Sequence, residues 1–72
     1  MKLQDLPLNK NGIIQKVDCE FKLRRRLYDL GFVPSEKIKV LSHRGKGMLI
    51  FIMGVVLCIS TFEANLIEVG YE

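Results

Sequence analysis

Hydrophobic positions are unevenly distributed along this chain. The densest stretch is Met48–Ser60, "MLIFIMGVVLCIS", an almost unbroken apolar run interrupted by Gly54. It falls short of the ~17–20 apolar residues a membrane-crossing helix needs. Lys46 precedes it, Ser60-Thr61 follow, and it is rich in β-branched and aromatic residues. The pattern predicts two antiparallel strands, Met48–Met53 and Val55–Ser60, with Gly54 supplying a positive φ at the turn. A half-exposed strand alternates apolar with polar residues, and these two do not. Either protein covers both faces, or the outer face is an adhesive patch.

Elsewhere the periodicities are cleaner. "NKNG" at 9–12 is a turn signal, and Ile13–Val17 reads as a short strand. A helix is expected over Cys19–Leu30, capped by Asp18, with Glu20 in its first turn and Gly31 ending it. Leu23, Leu27 and Leu30 share one face, flanked by Tyr28, with Lys22, Arg25, Arg26 and Asp29 largely opposite. Arg25 and Asp29 are spaced to pair. Lys37–Ser42 alternates as a half-buried strand, and "HRGKG" at 43–47 reads as a flexible basic loop. Ser60 and Glu63 have capping-box spacing, and Ile67, Val69 and Tyr71 alternate as a last strand. Five short strands and one side helix predict a mainly β fold closed into a small barrel, because closure removes exposed edges.

Composition narrows the function classes. With 72 residues, 49% hydrophobic and 26% charged, the chain is expected to form a single globular domain over 1–72. Its start, "MKLQDLPLNKNG", lacks an apolar secretory core, so the cytoplasm is the expected compartment and no membrane insertion is expected. Cys19 and Cys58 are too few for a disulfide scaffold, and a closed zinc site would want more ligands than they and His43 provide. Cys58 reads as a small core hydrophobe. No catalytic, cofactor-binding or metal-ligating residue is expected, because no acid–base pair, nucleophile motif or phosphate loop is visible. The net charge of +3 is compatible with an anionic partner.

"RRRLYDLGFVPSEKIKV", then a glycine-centred hairpin, then "EANLIEV" resemble the FeoA family of small proteins of bacterial ferrous iron uptake. The pattern runs from "LPLNKNGIIQKV" to "IEV", with Arg25–Leu27, Leu30–Gly31, Pro34 and Ile38 as its strongest part. It departs at Ser35, where relatives commonly have glycine, and in the short "HRGKG" loop. The resemblance implies an SH3-like barrel, without catalysis or cofactor, that binds and regulates or assembles FeoB. FeoB is the membrane ferrous-iron transporter, and the expected partner is its cytoplasmic domain. A free iron-dependent repressor is not expected at this length. The candidate contacts are Arg24, Arg25 and Arg26 on the helix, Arg44 and Lys46 in the loop, and Met48 and Met53 as outward hairpin residues. Homo-oligomerisation through the apolar strands is a further expectation. A small basic barrel binding nucleic acid is the alternative, disfavoured because Phe21, Phe51 and Phe62 are readily assigned to the core.

Overall fold

The computed structural model describes residues 1–72. After a 3₁₀ turn at Leu3–Asp5, the elements are β1 (Asn11–Val17), α1 (Phe21–Asp29), β2 (Lys37–Arg44), β3 (Gly47–Ile52), β4 (Val55–Ser60), α2 (Thr61–Ala64) and β5 (Ile67–Tyr71). The strands form one antiparallel sheet in the order β4-β3-β2-β1-β5. Register shifts at Ile14/Lys16 in β1 and Val40/Ser42 in β2 break the regular ladders, a device that bends a sheet. The expected closed barrel is corrected: β4 and β5 end the order and do not pair, so the sheet stays open. Each margin must then find another solution, and the two differ.

Fifteen apolar side chains make the buried core, among them Leu3, Leu6, Ile14, Leu27, Phe32, Ile50 and Val69. Helix α1 joins it through its C-terminal end. Gly31 takes a φ of +106°, Phe32 N–H donates to Leu27 C=O at 2.9 Å, and Gly31 N–H donates to Tyr28 C=O at 2.9 Å. These bonds make a Schellman motif, and its accompanying apolar pair is Leu27 and Phe32, both fully buried. The start of the helix differs from expectation. Glu20, not Asp18, is the cap, its carboxylate accepting from Leu23 N–H at 2.6 Å and Lys22 N–H at 3.2 Å. Asp18 lies two positions before the cap, its N–H donating to Leu66 C=O at 2.8 Å.

Two local features bear on the sequence reading. Glu36 N–H donates to Val33 C=O across Pro34-Ser35, with Ser35 at φ +77°. That is the type II geometry that favours glycine, so the serine accepts the glycine's conformation. Ser60 and Glu63 form the full capping box expected at α2. The "HRGKG" loop is tighter than expected: His43 and Arg44 belong to β2 and Gly47 to β3, leaving a two-residue turn.

Candidate docking surface

The β3–β4 hairpin turns on Met53 and Gly54, both left-handed at φ +51° and +79°. A two-residue turn with both φ positive is the hairpin geometry in which Asn-Gly is preferred, so an unbranched methionine is held there at a cost. Its side chain lies over the end of α1, where a Cβ placed on Gly31 would come within 2.8 Å of Met53 Sδ. Tyr28, Leu30, Gly31, Val33, Met53 and Val55 thereby line one shallow groove, with Asp29 and Glu36 at its margin. Next to it, Phe21, Arg24, Arg25, Tyr28 and Asp29 line a second depression along α1. Tyr28 and Asp29 belong to both, so the two make one continuous strip.

The strip is apolar and carries both signs of charge, Arg24 and Arg25 with Asp29 and Glu36. Phe21 and Met53 are each 64% exposed, and Tyr28, Leu30 and Val55 are exposed as well. The expected Arg25–Asp29 pair does not form, and none of the four arginines makes an ion pair. The ion pairs between side chains use lysines instead: Lys2–Glu68 at 3.2 Å, Lys16–Asp18 at 4.0 Å and Lys37–Glu72 at 2.8 Å. The guanidinium groups are therefore free for a partner, and Arg fits carboxylate geometry well.

The sequence-derived contact residues divide into four groups. Arg24, Arg25 and Met53 fall on the strip. Arg26 is exposed on α1 but lines neither depression. Arg44 and Lys46 are exposed at the opposite end of β3, a six-residue strand from Met53, which is ~17–20 Å. Met48 is corrected outright: it is fully buried, paired with Ile59 in the ladder. Strand parity explains this. Ile50 and Ile52 are buried beside it, and residues two apart share a face.

Three residues expected in the core are outside it: Phe21, Phe51 and Phe62 are all exposed. Leu30 was expected in the buried stripe and is exposed too, whereas Phe32 beyond the glycine is fully buried. Cys58 faces solvent rather than the core. The missed signal was the turn. A two-residue turn at Met53-Gly54 fixes the parity of both strands, which puts Phe51, Val56 and Cys58 on the outer face.

Ionisable chemistry is sparse here. Partial burial pushes the Cys19 thiol up, with Arg24 pulling it the other way. No three His, Cys, Asp or Glu side chains converge as a metal site. No helix is long and apolar enough to cross a membrane.

The profile of the FeoA domain matches residues 1–70. Among solved structures, the FeoA protein of Chlorobium tepidum is 34% identical, with a TM-score of 0.89, over 99% of this chain and 70% of that one. Iron(II) transport protein A of Clostridium thermocellum is 29% identical at a TM-score of 0.92, over 99% of this chain and 45% of that one. The FeoA of Stenotrophomonas maltophilia, solved with zinc, is 25% identical at a TM-score of 0.85, over 97% of this chain and 89% of that one. That protein is described as a prokaryotic SH3-domain protein and a candidate activating factor for ferrous iron transport. Comparison with curated proteins returned no match.

Proposed function

This chain belongs to the FeoA family, and from that premise we propose that it is a non-catalytic, cytoplasmic accessory protein of bacterial ferrous iron uptake. It docks on the cytoplasmic domain of FeoB and regulates or assembles that transporter, with iron as the transporter's cargo. The observation that carries this reading is the strip joining α1 to the hairpin tip. Its exposed Tyr28, Leu30, Met53 and Val55 offer an apolar anchor site, and unpaired Arg24 and Arg25 lie beside it. Buried apolar anchors beside arginines are the usual composition of binding hot spots. Arg26 acts at the rim, and Arg44 and Lys46, at the far end of β3, steer approach without entering the contact.

Three exposed phenylalanines reopen the nucleic-acid alternative, but they lie on α1, β3 and α2 rather than along one basic groove. Calorimetric titration with the FeoB cytoplasmic domain tests the preferred reading. Leu30→Asp is expected to weaken binding roughly tenfold or more, as loss of a central anchor does. Equal affinity of this variant and wild type would contradict it, as would a complex formed only with oligonucleotide.

A further inference from the structure

The two margins of the sheet are finished differently. Along β5, Val69 N–H donates to Met1 C=O at 2.8 Å, and the Met1 nitrogen donates to Val69 C=O at 3.0 Å. Lys2 adds a bridge to Glu68, so the chain's own first residues occupy that edge. Nothing occupies the outer side of β4. Proteins usually blunt a free edge with lysine, proline or a bulge. The β4 sequence, "VVLCIS", has no charge and no proline, and its pairing with β3 runs without a register shift.

Its free hydrogen-bonding groups can be assigned. Ile52 and Val55 flank the two-residue turn, so Val55 N–H points toward β3 and alternation sends Leu57 and Ile59 the same way. Thr61 N–H continues this phase by donating to Lys46 C=O at 2.8 Å. Val56 and Cys58 therefore turn their N–H and C=O groups outward. Ser60, next in that row, has its N–H committed to Glu63 Oε1 at 3.0 Å.

We propose that this edge joins two copies of the chain, β4 pairing antiparallel with β4 about a two-fold axis, with Leu57 facing its own counterpart. In this register Val56 lies opposite the counterpart of Cys58 twice, and each such pair exchanges two bonds. Every outward group of Val56 and Cys58 is then satisfied. A slide of two residues one way sets Val56 against Ser60, whose N–H is already used. The other way sets Cys58 against Gly54, which its φ of +79° takes out of the strand. Each of these registers has two-fold symmetry, as an isologous contact requires, and only the first satisfies every outward group of Val56 and Cys58. It also covers apolar surface: Val55, 50% exposed, meets the counterpart of Ile59, and Val56, 55% exposed, meets that of Cys58. No charge lies on β4, so identical copies bring no like charges together along the strand. The inference does not rest on the transporter reading, although both surfaces include Val55.

Sedimentation equilibrium of the full chain over a concentration series tests it. Wild type is expected to rise from 8.3 kDa toward twice that mass. Val56→Pro removes an N–H that the fold does not use, so this variant is expected to stay folded by circular dichroism and to remain monomeric. Val56→Lys, an edge lysine, is a second variant read the same way. Leu57→Cys, in a chain also carrying Cys19→Ser and Cys58→Ser, is expected to form a reducible covalent dimer. The facing Cα atoms of a non-hydrogen-bonded pair are ~4.5 Å apart, within disulfide range. A wild type that stays monomeric at millimolar concentration overturns the proposal, leaving the edge to a strand of another protein. Undiminished association of both Val56 variants, or absence of the Leu57 cross-link, overturns it equally.

Discussion

The two margins of this sheet are both short strands, and they end in different states. At β5, Val69 is fully buried, its main-chain groups are bonded to Met1, and Glu68 holds Lys2 at 3.2 Å. At β4, Val55, Val56 and Cys58 are exposed and the outward main-chain row is open. The groove formed with the end of α1 lies on this same side. The difference teaches how a small domain divides its labour. Apolar surface that could be sealed by its own chain is sealed at one margin. At the other it is left beside unpaired arginines, where it can serve recognition.

The largest effects should come from the hairpin's two methionines, which look alike in sequence. Met48→Ala empties a fully buried site and is expected to cost about 2–5 kcal/mol, read from the denaturation midpoint. Met53→Ala should change stability by only about 0.5 kcal/mol or less. Equal costs would mean that the inner and outer faces have been confused.

Proline substitution separates the margins themselves. Val69→Pro removes a used N–H in the core and is expected to destabilise by about 3 kcal/mol. Val56→Pro should cost about 1 kcal/mol or less, because its N–H has no partner to lose. Similar losses at both positions would erase the distinction between sealed and bare edges.

Smaller gains are expected where the backbone is left-handed. Ser35→Gly and Met53→Asn should each stabilise by about 1 kcal/mol, since both replaced residues hold a positive φ. Only Met53→Asn should also weaken docking, because Ser35 lines neither depression of the strip. A Met53→Asn variant that gains stability and binds FeoB unchanged would remove Met53 from the surface.

The smallest effect is acid dependence at the sealed margin. The hydrogen bond from Lys2 holds the Glu68 carboxyl below its ordinary range, with the charges of Lys2 and the amino terminus adding to it. A lowered folded-state value gives stability that is present above the ordinary carboxylate range and is lost as pH falls through the folded value. Acidification should therefore speed exchange of Val69 N–H beyond the intrinsic pH effect, while Val56 N–H shows no such excess. Parallel behaviour of the two amides would show that Lys2–Glu68 does not help hold the β5 edge.

Features set by neighbours in sequence were legible in the sequence. The glycine stop at Gly31, the Ser60–Glu63 capping box and the Gly54 turn each follow from local backbone chemistry. Facing was harder to read. An all-apolar strand carries no alternation, so Met48 and Met53 could not be told apart without the turn parity, and Phe51 and Cys58 went to the wrong side. The Glu20 cap was missed because Asp is the stronger capping residue, and the structure starts the helix two residues later than Asp18 would set it. Barrel closure failed for a similar reason: strand count does not determine whether the last strand meets the fourth or is covered by the chain's beginning.

Amide shift mapping of the labelled chain, with and without the FeoB cytoplasmic domain, tests the central claim most directly. The account predicts perturbations concentrated at residues 24–33 and 51–56, with β5 and the Arg44–Lys46 turn nearly silent. Perturbations centred on β5, or none at saturating partner, would contradict it.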